Sequence, residues 1–319
     1  MKKDFISMSS FSKEDIFEIF ALAGWMKQQR LAEFRPFSGK TAALIFEKPS
    51  LRTRVSFEVG ISQLGGHSIF LSQQDIGLST RESVRDIAEV LSRYNNLIVA
   101  RTMKQETVEI LAECAAIPVI NALTELLHPC QIAADAFTLL ERNLLSRSTK
   151  IVFIGDGNNV VNSWLELAEK IPLHFVLACP EGYEPDEHIL ARAQKAGVSQ
   201  IEIIQDPYSA AEDADVLYTD VWVSMGQEGE MEKRGKAFKE YQINSQLMKA
   251  SHPQCIVMHC LPAHRGEEIT AEVLEGGHSI VLDQAENRLH VQKGIMAFLF
   301  GEKSPLTVSQ DSVLEGVTL

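Results

Sequence analysis

No stretch of this sequence approaches the ~18 consecutive apolar residues that a membrane-crossing helix needs. The chain opens Met1-Lys2-Lys3-Asp4-Phe5 and runs on into Ser and Lys rather than an apolar stretch, so no signal peptide and no membrane association are expected. Cysteine is scarce. The five residues, Cys114, Cys130, Cys179, Cys255 and Cys260, are odd in number, widely spread and contain no C-x-x-C pair. That pattern argues against a disulfide framework and a zinc site, and for a reducing, cytoplasmic setting. Positive charge is in deficit: 30 Lys+Arg stand against 43 Asp+Glu, a formal net charge of −13. Such a chain lacks the broad basic field that nucleic acid or an anionic membrane requires. A small anionic substrate stays open wherever a few arginines converge. Fixed-period repeats and low-complexity tracts are missing too.

What is present is ordinary globular material. At ~150 residues per domain, 319 residues correspond to about two domains. An apolar fraction of 45% with 23% charged residues excludes disordered and fibrous classes. Short β-branched runs alternate with stretches of helical spacing. The strand candidates are 41–47, 67–71, 97–100, 118–120, 150–154, 173–178, 201–204, 215–219, 255–259 and 279–282; helical spacing appears over 81–94, 107–115, 159–170, 186–196 and 285–300. Alternation of this kind predicts crossover units and parallel sheets covered by helices, and ten strands suit two sheets better than one. The predicted fold is therefore α/β, two doubly wound parallel-sheet domains linked by helices. The division falls after a helix near 130–144, and the last helix is free to pack back on the first domain. In such folds ligands sit at the carboxyl ends of strands.

Several segments just after strands carry candidate chemistry. The first strand runs into Pro49-Ser50-Leu51-Arg52-Thr53-Arg54. Pro49 ends the strand and Ser50 suits a helix N-cap. A helix starting there aims free N–H groups and its positive dipole end at the site mouth. Arg52 and Arg54 face different ways; Arg52 is assigned to an oxyanion and Arg54 to neighbouring structure, the alternative being a capped helix with exposed arginines. His128-Pro129-Cys130-Gln131 places His128 at a helix mouth with Gln131 one turn on; by itself this pattern also suits a structural turn. Gly155-Asp156-Gly157-Asn158-Asn159 lacks the third glycine of a dinucleotide fingerprint, with Val160 in its place, so the glycines are read as tight-turn residues and Asn159 as a candidate ligand-binding residue. Asp220 ends a buried strand, where a carboxylate suits an ammonium group. Ser224-Met225-Gly226 opens a polar stretch read as a loop, solvated or acting as a lid. His259-Cys260-Leu261-Pro262 is another strand running into a turn; Cys260 there suits a nucleophile, a metal ligand, a polar contact or inert packing. Arg288, near the start of the last helix, adds one more guanidinium.

These segments, in this order, resemble the carbamoyltransferase (transcarbamylase) family, and within it the branch that accepts ornithine. The resemblance runs from Phe46 to Arg288 and rests on six motifs in register: Ser50-Leu-Arg-Thr-Arg54, His128-Pro-Cys-Gln131, Gly155-Asp-Gly-Asn-Asn159, Asp220-Val-Trp-Val-Ser-Met-Gly226, His259-Cys-Leu-Pro262 and Ala285-Glu-Asn-Arg288. It implies a carbamoyl phosphate-binding domain over 1–145, completed by the C-terminal helix at about 286–319, and an ornithine-binding domain over 146–285. Carbamoyl phosphate would be held by Ser50, Arg52, Thr53, Arg101, His128, Gln131, Cys260, Leu261 and Arg288. Ornithine would be held by Asn159, Asp220, Ser224 and Met225. Cys260, Arg101 and His128 would be catalytic, with Arg101, His128 and the 260–261 turn donating to the carbonyl oxygen. Citrulline and phosphate would be the products, in arginine biosynthesis. No metal or organic cofactor is implied, and the assembly would be a homotrimer or a multiple of trimers.

Two positions depart from the family pattern. Leu51 stands where Thr is usual. Gly77 stands where a Gln or His usually reaches into the neighbouring subunit's site, with Arg81 as the candidate replacement. Three other readings compete: a cysteine hydrolase built on Cys260, a non-catalytic carbamoyl phosphate-binding homologue, and a carbamoyltransferase for another amine such as putrescine or an acylated ornithine.

Overall fold

The computed structural model describes residues 2–28, 34–77, 82–223 and 228–305. They form two compact units. The first lies within Met1–Phe137 and Asn287–Val308, the second within Thr138–Glu286.

The first unit contains α1 (Lys13–Gln28), β1 (Thr41–Phe46), α2 (Leu51–Gln63), β2 (His67–Ser72), α3 (Gln73–Ile76), α4 (Val84–Tyr94), β3 (Leu97–Arg101), α5 (Gln105–Cys114), β4 (Val119–Leu123) and most of α6 (Pro129–Leu140). Its sheet is parallel throughout, in the order β2-β1-β3-β4. The strands β1, β3 and β4 are almost wholly buried runs such as Ala42-Ala43-Leu44-Ile45-Phe46. Continuous apolar strands of this kind need cover on both faces, which the crossover helices supply. The chain leaves β1 toward β2 on one side and returns to β3 on the other, so β1 and β3 flank the point where the strand order reverses.

The second unit contains β5 (Lys150–Ile154), α7 (Asn159–Ala168), β6 (His174–Ala178), α8 (Glu187–Ala196), β7 (Gln200–Ile204), α9 (Pro207–Ala211), β8 (Val216–Thr219), α10 (Met231–Ala237), α11 (Ser245–Ala250), β9 (Ile256–His259), α12 (Ala271–Leu274) and the start of α13 (Val281–Leu299). Its parallel sheet runs β7-β6-β5-β8-β9. The reversal falls between β5 and β8. Val152, Ile154, Val176, Leu217, Val257 and Trp222 lie in one buried cluster beside this sheet.

The described residues thus hold nine strands, not ten. The predicted strand at 279–282 does not form. Ser279 makes one isolated bridge to Val257, and helix α13 begins at Val281. The β-branched run Ile280-Val281 is apolar because it is buried, 7% exposed at both residues, which short apolar runs do not distinguish from a strand.

Candidate functional site

In the first unit, the residues at the reversal point gather three guanidiniums. Phe46 at the end of β1 pairs with Arg101 at the end of β3. The register between β3 and β4 shifts between Ala100, opposite Asn121, and Arg101, opposite Leu123, so the extra residue of this irregularity, Ala122, lies in β4. Ser50 sits at the N-cap position of α2 in extended conformation, but its side chain makes no cap hydrogen bond. The capping expected of it is therefore not what its hydroxyl does. Thr53 is fully buried, and its Oγ1 accepts a 2.7 Å hydrogen bond from Arg288 Nη2. Arg54 turns away: its Nε donates to Glu58 at 3.0 Å and its guanidinium lies 3.7 Å from the Phe70 ring centroid. Arg52 is half-buried and close enough to Arg101 for its charge to lower the Arg101 pKa.

The electrostatics identify what these groups suit. Burial lowers the Arg101 pKa to about 10, and the charges of Arg288 and Arg52 push it the same way. His128 is buried just ahead of α6, and its pKa lies well below the ordinary histidine value. Burial is the main cause, with Arg288 and Arg101 adding to it. The imidazole is therefore neutral at physiological pH. Mutually repelling cations, one buried and two half-buried, beside a neutral imidazole are costly alone and become favourable around a phosphate. Gln131 donates through Nε2 to Asp135 at 2.8 Å, so one of its amide donors is committed within α6.

In the second unit, the reversal point carries an acidic group. The turn after β5 uses its glycines structurally. Gly155 has φ 144°, and a Cβ on Gly157 would stand 2.4 Å from the Pro185 nitrogen. Asn158 caps α7, accepting from Val160 and Val161 N–H, and its Nδ2 donates to Asp220 Oδ2 at 3.0 Å. Asn159 is the first helical residue and is half-buried. Asp220 follows β8. Its Oδ1 accepts from Val221 N–H and from the Cys260 thiol, both at 2.8 Å. Asp220, 9% exposed, is thus a carboxylate fixed from three sides.

The turn after β9 is held by a pair that sequence reasoning missed. His259 and Glu268 are both fully buried, with His259 Nε2 3.0 Å from Glu268 Oε1. His259 Nδ1 accepts the Leu261 N–H at 2.9 Å, so Nε2 carries the proton and donates it to Glu268. The bond holds Leu261 at φ 55°, a left-handed conformation unusual for a γ-branched residue. It also occupies the Leu261 N–H. The ligand atoms of Asp220, His259 and Cys260 lie within 4.8 Å of one another. A metal held there would take one imidazole nitrogen and displace the hydrogen bond that nitrogen makes, to the Leu261 N–H or to Glu268. Arg234 and Asp156, also unread in the sequence, form a buried ion pair at 2.7 Å. Ser224, Met225 and Arg81 lie outside the described residues.

Two family models cover most of the chain. The one described as aspartate/ornithine carbamoyltransferase, carbamoyl-P binding domain, matches residues 3–141, and the one described as aspartate/ornithine carbamoyltransferase, Asp/Orn binding domain, matches residues 147–299. The chain belongs to the aspartate/ornithine carbamoyltransferase family. Its similarity within that family is high. It is 56% identical to the ornithine carbamoyltransferase of Chlorobaculum tepidum over 93% of this chain and 90% of that one. Against the chloroplastic ornithine carbamoyltransferase of Pisum sativum it is 51% identical, over 94% of this chain and 81% of the other. The solved ornithine carbamoyltransferase of Pyrococcus furiosus matches at 45% identity with a TM-score of 0.89, covering 94% of this chain and 97% of that chain.

Proposed function

We propose that this chain transfers the carbamoyl group of carbamoyl phosphate to the δ-amine of L-ornithine, giving L-citrulline and phosphate. The observation that carries the reading is the convergence of Arg52, Arg101 and Arg288 with neutral His128 at the strand-order reversal of the first unit. The ornithine carbamoyltransferase names of the relatives supply the acceptor. In this reading the first unit is the carbamoyl phosphate-binding domain and the second the ornithine-binding domain.

Carbamoyl phosphate is held by Ser50, Arg52, Thr53, Arg101, His128, Gln131 and Arg288, with Cys260 and Leu261. Arginine forks match phosphate oxygens, and the N-terminus of α2 adds N–H groups and dipole charge. The neutral δ-amine attacks the carbamoyl carbon. A C–N bond forms, the carbonyl oxygen gains negative charge, and the C–O bond to phosphate then breaks while the amine proton passes to the departing phosphate. Arg101 and His128 donate to that oxygen, the largest expected catalytic contribution. The 260–261 turn acts through other groups than the Leu261 N–H. Asp220 pairs with the ornithine α-ammonium, with Asn159, Ser224 and Met225 completing acceptor recognition. Cys260, donating to Asp220, orients the acceptor end.

The assembly is proposed to be a homotrimer or a multiple of trimers, the setting cytoplasmic and the pathway arginine biosynthesis. The odd number and wide spacing of the five cysteines, with no C-x-x-C pair, support a reducing compartment. The test of the reading is product formation from carbamoyl phosphate with ornithine, putrescine, acylated ornithine and aspartate offered in turn. Citrulline from ornithine at the highest kcat/KM is the expected result, and preference for another amine overturns the acceptor assignment.

A further inference from the structure

One buried side chain outside the quoted motifs ties together the two loops of the second unit's reversal point. Arg234 in α10 is 5% exposed. Its Nη1 donates to Asp156 Oδ2 at 2.7 Å and to the Trp222 carbonyl at 3.0 Å, and its Nε donates to Glu230 Oε2 at 3.0 Å. Its guanidinium lies 5.1 Å from the Tyr183 ring centroid. Asp156 belongs to the turn after β5 that also carries Asn158 and Asn159. Trp222 stands two residues beyond Asp220. The same fork therefore grips the loop that presents Asn159 and the loop that presents Asp220. Burial raises the Asp156 pKa, Arg234 lowers it, and the nearby charges of Asp220 and Glu230 raise it. Asp156 and Asp220 thus share one field, and Arg234 contributes the cation paired with Asp156.

We propose that Arg234 is a positioning residue for ornithine recognition, setting the placement of Asp220 and Asn159 and offsetting the charge of Asp156 beside Asp220. The proposal rests on the assignment of ornithine to Asp220 and Asn159. The fork explains why the residue is arginine. Three acceptors on separate chain segments are reached by Nη1 and Nε of one rigid plane, whereas a lysine ammonium is a single point on a flexible stem. The polar stretch opened by Ser224-Met225-Gly226, expected to be a loop, forms helix α10 over Met231–Ala237, and Arg234 within it is a buried tether.

The test uses the full chain with Arg234→Lys, Arg234→Gln and Asp156→Asn, measuring both KM values, kcat and the thermal midpoint. A positioning role predicts an ornithine KM raised by about tenfold or more in both Arg234 variants, with the carbamoyl phosphate KM within about twofold of wild type. Asp156→Asn also raises the ornithine KM, and the Arg234→Gln/Asp156→Asn double variant is milder than the two single effects combined, because neither charge is left buried alone. A merely structural role lowers the thermal midpoint and leaves both KM values unchanged in the folded fraction; that result, or a parallel rise of both KM values, overturns the proposal. If Arg234→Gln does not fold, Arg234→Lys and Asp156→Asn decide by the same split. Failure of the acceptor assignment is seen separately, as wild-type protein that forms no citrulline from ornithine.

Discussion

His128 illustrates how burial turns a common residue into a specific one. A solvent-exposed histidine titrates near neutrality; this one is buried with Arg288 and Arg101 beside it, and its pKa is driven well below that range. It therefore stays a neutral imidazole in the working range and donates as one. His128→Asn should lower kcat by about 10²–10³, the cost of one oxyanion donor, without moving the inflection of the pH–rate profile. That profile should rise toward alkaline pH as the bound δ-amine loses its proton. A wild-type limb near pH 6.5 that vanishes in the variant would contradict the neutral assignment. Arg52→Ala should leave the protein folded and cost at least ~2 kcal/mol of transition-state stabilisation, about thirtyfold in kcat/KM, since it removes a charge-assisted contact to phosphate. Saturation kinetics with circular dichroism as the folding control check it; near-normal kcat/KM sinks the role of Arg52.

At the scale of elements, the contact between α2 and α13 contains a buried cation with no carboxylate in hydrogen-bond contact. Lys293 is 2% exposed, and its Nζ donates to Gln63 Oε1 at 2.9 Å. Burial lowers its pKa from 10.5 to about 8. Between these values the unfolded chain binds a proton that the folded chain does not, so stability rises with pH through that window, and below about pH 8 the folded state carries the cost of the buried ammonium. Lys293→Met should raise unfolding free energy at pH 7 by ~1–2 kcal/mol and flatten its rise between pH 8 and 10.5, as read from urea midpoints. An unchanged pH profile would show that Lys293 is not the group responsible.

The elements also show what was legible in sequence and what was not. The alternation of β-branched runs and helical stretches located nine strands: the central ones are continuous apolar runs, and the edge strands β2 and β7 carry shorter apolar runs within half-exposed segments. It failed at 279–282, where a buried helix start looks the same. The glycines of the 155–157 turn were readable as turn residues because their roles are local. Glu268, Arg234 and Asp156 were not readable. Each acquires its role from a partner on another loop of the sheet end, and single-chain spacing carries no trace of that pairing. Arg54 was separable from Arg52 by helical geometry alone, since residues two apart point in different directions.

At the scale of the whole molecule, the two parallel sheets follow one plan. Each reverses its strand order beside its first strand, and each places its chemistry at the carboxyl ends flanking that reversal, as doubly wound sheets do. The first places arginines there and the second a carboxylate, which matches a dianionic donor and a cationic acceptor. Sharing of sites between subunits is tested by mixing the impaired Arg52→Ala protein with Arg81→Ala protein, itself expected to be impaired, under conditions of subunit exchange. Partial recovery of activity is expected, and no recovery despite proven exchange counts against a role for Arg81 in a neighbouring site. The most direct test of the whole account is the ornithine saturation curve of Asp220→Asn. A raised ornithine KM with the carbamoyl phosphate KM nearly unchanged is expected, because the lost charge is the one that pairs with the acceptor's ammonium. An unchanged ornithine KM would contradict it.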